Sequence, residues 1–137
     1  MKAKVASDWY NGAAEMTDTE IVDTWRQLLD SYARAVGALE RRLEEEHGLG
    51  VSEYEVLERL AEGDKTERRM QELAAAVHLS QSALSRVVGR LEAEGLVTRG
   101  LCMEDRRGIY ACLTEAGRAR YEAARPTHRT VLAETLR

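Results

Sequence analysis

Met70-Gln-Glu-Leu-Ala-Ala-Ala-Val-His-Leu-Ser-Gln-Ser-Ala-Leu-Ser-Arg-Val-Val-Gly-Arg-Leu-Glu-Ala-Glu-Gly-Leu-Val-Thr-Arg99 is the stretch whose reading decides the fold. Met70, Leu73, Ala74 and Val77 recur at helical steps, so residues 70–77 predict a short helix with those four inward. His78-Leu79 is a tight connection. Ser80 or Ser82 caps the next helix, which buries Leu84, Val87, Val88 and Leu91 and ends at Gly95. The period then drops to two. Val97, Arg99 and Leu101 alternate with Thr98, Gly100 and Cys102, and alternation resumes at Ile109, Ala111 and Leu113 after Glu104-Asp105-Arg106-Arg107-Gly108. This predicts a β-hairpin with a polar tip, pairing Leu101 with Ile109 and Val97 with Leu113. Two short helices, a tight turn and then a hairpin is the order of a winged helix-turn-helix.

Outward from this stretch the chain reads as helix. Thr17-x-x-Glu20 is a capping box. After it Ile21, Trp25, Leu28, Leu29, Tyr32, Val36, Leu39 and Leu43 form a helical stripe that Gly48 can close in the left-handed conformation. About 30 residues at ~1.5 Å each give a helix of roughly 45 Å, long enough to protrude and pair with something. Ser52-x-x-Glu55 reads as a second capping box before Tyr54, Val56, Leu57 and Leu60, and Gly63-Asp64 stops that helix. Residues 65–69 read as a charged linker. Thr114 caps a last helix whose path at Pro126 is either kinked or ended, with Thr127–Arg137 short for a helix of its own. The expected fold is mainly α with a small β-hairpin wing: a winged helix-turn-helix at 48–114, a helical dimerisation scaffold at 18–47 and 115–137, and an N-terminal arm at 1–17.

Composition restricts the function classes. No run of apolar residues is long enough to span a membrane, and Met1–Asn11 lacks the apolar core of a secretory signal, so the expected location is the cytoplasm. Two cysteines, Cys102 and Cys112, are too few for a disulfide framework. His47, His78 and His128 show no metal-ligand spacing with each other or with the cysteines, and no nucleophile–base pair or phosphate-binding glycine loop is present. No cofactor, no metal and no enzymatic activity are therefore expected. The net charge is −4. From Glu15 to Asp64 five Lys/Arg face fourteen Asp/Glu, whereas from Lys65 to Arg107 eight face six. A broadly electrostatic nucleic-acid binder is more basic than this, so contact with double-stranded DNA would rest on a few placed arginines.

Those arginines can be named. With Leu84, Val87, Val88 and Leu91 inward, the second helix turns Gln81, Ser82, Ser85, Arg86 and Arg90 outward. A helix fits the major groove, its small N-terminal residues allow close approach, and Arg86 is the candidate for a bidentate guanine contact. Arg106 and Arg107 sit at the hairpin tip, where arginine can enter a narrow minor groove, and Asp105 can hold one guanidinium in place. Each feature has a plainer reading, a solvated helix face and a soluble turn; their register with one another favours DNA.

Met70-Gln-Glu-Leu-Ala, Leu79 through Arg99, Glu104-Asp-Arg-Arg-Gly108 and Leu113-Thr-Glu-Ala-Gly117 resemble, in order and spacing, the multiple-antibiotic-resistance regulator (MarR) family. The resemblance covers roughly residues 18–137. It implies a homodimer on pseudo-palindromic DNA, with Arg107 as the minor-groove arginine and Ser82, Ser85 and Arg86 as recognition-helix contacts. It also implies a small aromatic or phenolic effector bound between the dimerisation and DNA-binding parts, for which Trp25, Arg26, Tyr32 and Tyr54 are the candidates. Tyr and Trp on a helical stripe are more often core than ligand contacts. The chain departs from the family pattern in two places. His78 stands where glycine is common, which is costly if the position is left-handed. The sequence also stops at Arg137, short of a full last helix for the family, so either the dimer scaffold is shortened or a C-terminal part lies outside it. The cysteines read as inert thiols, since peroxide-sensing members use a cysteine near the first helix. The competing reading is a winged-helix protein-interaction module without DNA binding, motivated by the acidic N-terminal half.

Overall fold

The computed structural model describes residues 15–63, 66–101 and 108–137. It contains α1 (Asp18–His47), α2 (Val51–Glu62), β1 (Glu67–Arg69), α3 (Met70–Ala76), α4 (Gln81–Ala93), β2 (Val97–Leu101), β3 (Ile109–Leu113) and α5 (Glu115–Leu136). The expected class, mainly helical with a small β wing, is the observed one. Among the described residues no helix is long and apolar enough to cross a membrane.

Local chemistry sets the helix boundaries. Thr17 Oγ1 accepts from the Glu20 N–H while the Glu20 carboxylate accepts from the Thr17 N–H, so the first capping box is complete. The Thr17 N–H and hydroxyl, both donating to it, hold the Glu20 carboxyl below its ordinary range. Gly48, at φ +64°, closes α1 as expected. The second capping box is not formed. Gly50, not Ser52, is the N-cap of α2, and Glu53, three residues on, accepts from the Gly50 N–H. The chain leaves the Gly48 turn extended and enters the helix two residues earlier than the Ser52 pattern suggested. Ser80 caps α4 and Thr114 caps α5, accepting from Ala83 N at 3.1 Å and Gly117 N at 3.0 Å.

Two further expectations change. Glu67–Arg69 is a strand, not a linker: β1 pairs antiparallel with β3, opposing Glu67 to Cys112 and Arg69 to Tyr110. The sheet order is β1-β3-β2, and the β2–β3 register pairs Val97 with Leu113 and Leu101 with Ile109, as the alternation predicted. Pro126 does not end the last helix, which runs through it to Leu136.

Leu43, Leu49, Leu57, Leu60, Leu73, Leu84, Val88, Leu91 and Val97 are fully buried in one core that joins the C-terminal half of α1 to α2, α3, α4 and the sheet. Each such side chain contributes roughly 1.5–3 kcal/mol by leaving water. α5 packs chiefly on α1. Arg120 Nη1 donates to the His47 carbonyl at 3.0 Å, and His47 Nε2 meets Thr127 Oγ1 at 2.8 Å. The stripe on α1 divides in two. Leu39 and Leu43 enter this core, whereas Trp25, Leu28 and Tyr32 are 59%, 60% and 69% exposed.

Candidate nucleic-acid interface

The helix-turn-helix lies between α3 and α4, and its turn is tight because of one residue. His78 takes φ +57°, the left-handed region that costs a side chain-bearing residue about 1 kcal/mol or more. Backbone bonds from Val77 N to Leu73 O (3.0 Å) and Leu79 N to Ala74 O (3.0 Å) hold it there. The position is left-handed, so the departure from glycine carries that cost.

Beyond this turn, Leu84, Val87, Val88 and Leu91 bury one face of α4. Gln81, Ser82, Ser85, Arg86 and Arg90 are all exposed. Gln81 edges a groove shared with Arg69, Gln71 and Gly108, beside the start of β3. Arg69 Nε there donates to Tyr110 Oη at 3.0 Å, with its guanidinium carbon 5.7 Å from the ring centroid. Arg90 sits two turns further along, close enough to the half-buried Glu53 to offset part of the rise that burial causes in its pKa. Asp105, Arg106, Arg107 and Cys102 lie outside the described residues. Cys112 opposes Thr98 as expected, and its thiol points to Glu67 Oε2 at 3.6 Å.

The sequence reading did not pick out Arg99 as a site residue. Its guanidinium lies across α4, donating from Nη1 to Ser85 Oγ at 3.1 Å and from Nη2 to Glu92 Oε1 at 3.3 Å. Its backbone N–H donates to Glu92 Oε2 at 3.2 Å. Strand alternation gave the side of the hairpin on which Arg99 lies but not the helix behind it. The available signal was the spacing Ser85, Gly89, Glu92, which lines up small and acidic residues on one helix face.

A mostly apolar cleft of about 620 Å³ lies between α1, α2, the end of α5 and the turn at His78, within the size range of small-molecule sites. Tyr32 lines it together with Leu28, Val36, Arg59, Val77 and Leu132. Trp25 and Arg26 are exposed on α1 and do not line it. Tyr54 is fully buried in the core instead. Its ring stacks on His128 with centroids 4.2 Å apart and tilts against Tyr121 at 5.8 Å. Burial and the neighbouring Glu58 carboxylate push the Tyr54 hydroxyl pKa up.

His128 and Glu55 form the polar floor of the cleft, with Nε2 and Oε1 3.6 Å apart. Glu58 lies alongside, and the ligand atoms of Glu55, Glu58 and His128 fall within 4.8 Å of one another. Spacing among His and Cys alone does not reveal this grouping, because two of its three members are glutamates. Arg129 already occupies it: its guanidinium pairs with Glu58 and meets His128 Nδ1 at 2.6 Å. The cluster thus carries its own cation.

The Glu55–His128 contact makes a pH prediction. The contact with His128 holds the Glu55 carboxyl below its usual 4.5. A carboxyl depressed on folding stabilises above the unfolded value, and that stability is lost as pH falls through the folded one. Glu55→Gln is expected to lower stability most at pH 7, where the Glu55 carboxylate is ionised, and to converge on wild type as pH falls below about 4.5, so that the acid limb of the stability curve flattens, measured by urea unfolding across pH.

The comparisons with known proteins agree with this geometry. Residues 47–108 match the family model described as MarR family. AbsC, a MarR family transcriptional regulator from Streptomyces coelicolor, is 36% identical, with a TM-score of 0.78 over 88% of this chain and 80% of that one. Sco3205, from the same organism and solved in complex with DNA, is 32% identical, with a TM-score of 0.79 over 88% of this chain and 74% of that one. CouR from Rhodococcus jostii RHA1, solved bound to p-coumaroyl-CoA, is 28% identical, with a TM-score of 0.75 over 82% and 77%. The chain belongs to the MarR family and is a transcriptional regulator, not an enzyme.

Proposed function

We propose that this regulator is a cytoplasmic homodimeric repressor that reads a pseudo-palindromic operator and is released by a small aromatic ligand. The observation that carries the DNA reading is α4. Its four apolar residues are buried, its N-terminus is capped by Ser80, and Ser82, Ser85 and Arg86 are exposed together. Arg86 makes a bidentate contact to guanine in this reading, while Gln81 and Ser82 approach phosphates and base edges. Arg106 and Arg107, steadied by Asp105, enter the adjacent minor groove. The DNA complex of Sco3205 supports this reading.

The dimer reading rests on the N-terminal half of α1. Ile21, Val22, Trp25, Leu28, Leu29 and Tyr32 are exposed on one helix, and Leu136 is exposed at the end of α5. A contiguous apolar face of this kind marks an interface, and an isologous dimer on DNA matches an inverted-repeat site. The cleft beside it, lined by Tyr32 and floored by Glu55 and His128, takes the effector. CouR bound to an aromatic acyl thioester supports an aromatic ligand class.

Selection of bound sequences from random duplex DNA tests the proposal. An inverted repeat is expected, bound by a dimer. Arg86→Ala should weaken binding about 5- to 150-fold, the equivalent of the ~1–3 kcal/mol of a bidentate base contact. Arg107→Ala should weaken it as well, and salicylate should reduce the recovered complex. Failure to enrich any sequence, with capture of a protein partner instead, would sink the DNA reading.

A further inference from the structure

We infer that Arg99 is a positioning residue that makes Ser85 a hydrogen-bond donor toward the operator, so that Ser85 selects an acceptor edge in the major groove. The inference rests on the DNA reading proposed above. A serine hydroxyl carries one O–H donor and two acceptor lone pairs and can read either kind of base edge. The guanidinium of Arg99 has donors only. Its 3.1 Å contact therefore fixes Ser85 Oγ as the acceptor and turns the hydroxyl proton away from Arg99. The bond is charge-assisted, and polarisation along such a chain strengthens the hydroxyl as a donor. The partners this favours are purine N7, guanine O6 and thymine O4. The amino groups of cytosine and adenine are disfavoured.

The clamp is built from both sides. Glu92, two turns beyond Ser85, holds the Arg99 backbone at 3.2 Å and its Nη2 at 3.3 Å. Gly89 lies between them, and even a Cβ there would come within 3.6 Å of Nη2. A longer side chain at 89 would compete for the space that the guanidinium occupies. Because Glu92 pairs with Arg99, the arginine adds little positive field toward phosphate. It acts on what Ser85 reads and not on how strongly the protein attracts DNA.

The test uses the full chain and the operator recovered by selection, with every single base-pair change in one half-site. Ser85→Ala, Arg99→Met, Arg99→Lys and the Ser85→Ala/Arg99→Met double variant are compared. Wild type should discriminate about tenfold at one position, the scale of a single mismatched pair. Ser85→Ala and Arg99→Met should each reduce that discrimination to about twofold at the same position, and the double variant should lose no more than either. Arg99→Lys, which keeps a donor, should recover part of it. The dependence of affinity on salt should be unchanged in all of them. The inference is overturned if Arg99→Met weakens all operators equally, lowers the salt slope, acts at a different position from Ser85→Ala, or adds to it. Should Arg99→Met fail to fold by circular dichroism, Glu92→Gln takes its place, and an unchanged base preference there also overturns it. Absence of any sequence-specific binding by wild type overturns the DNA reading itself, and this inference with it.

Discussion

Replacing Gly117 with alanine is expected to destabilise the fold by about 3 kcal/mol, at the upper end of overpacking costs. A Cβ at Gly117 would fall 2.0 Å from the Leu96 carbonyl oxygen and 2.7 Å from Leu113 Cδ1. The carbonyl cannot retreat easily, because it accepts from the Thr114 N–H at 3.1 Å. Thr114 in turn donates its hydroxyl to the Gly95 carbonyl at 2.7 Å and accepts from the Gly117 N–H. The start of α5, the end of α4 and the root of the wing therefore meet with no room for a methyl group. Urea unfolding should show a lower midpoint with little change in slope. Gly37→Ala is the control: nothing lies within 4 Å of its Cβ position, and it should be neutral or stabilise by up to about 1 kcal/mol through helix propensity.

Arg129→Met should cost about 2–3 kcal/mol at neutral pH. Glu58 is buried, and its carboxylate is held by Arg129 and by the Tyr54 hydroxyl at 3.4 Å. Removing the guanidinium leaves a buried charge without its partner, which costs about 3–5 kcal/mol in a fully buried pair. The Arg129 side chain is 45% exposed, so solvent already screens part of the interaction and the lower figure applies. Glu58→Gln combined with Arg129→Met should be more stable at pH 7 than Arg129→Met alone. Urea midpoints at pH 7 measure both, and a double variant no more stable than Arg129→Met alone would rule out a stranded carboxylate as the cause.

The winged helix-turn-helix was legible in the sequence because its signals are local. Leu84, Val87, Val88 and Leu91 fix a helix face by spacing alone, and the Val97–Leu113 register follows from alternation. β1 was not legible. Glu-Arg-Arg at 67–69 has no apolar alternation, and the strand forms because β3 offers it an edge. The cap of α2 was misplaced because Ser52 and Glu55 fit a pattern that the left-handed turn at Gly48 pre-empts. The long stripe on α1 was visible, but periodicity reports that a face is apolar and not what covers it. Leu39 and Leu43 are covered by their own chain, and Trp25 and Tyr32 are not. For the same reason Tyr54 had a ligand reading beside the commoner core one, and the structure puts it in the core. Arg99 needed the third dimension, since its partners lie seven and fourteen residues away on another element.

Pro126 sits inside α5 and has no N–H to offer the Glu122 carbonyl one turn earlier. On its N-terminal side, Gly117 and Tyr121 are fixed against the wing root and Tyr54; on the other, His128 and Val131 are buried beyond it. The missing rung therefore falls between two anchored lengths of one helix. With that backbone bond absent, the continuity of α5 across Pro126 rests on the side chains packed on either side of it.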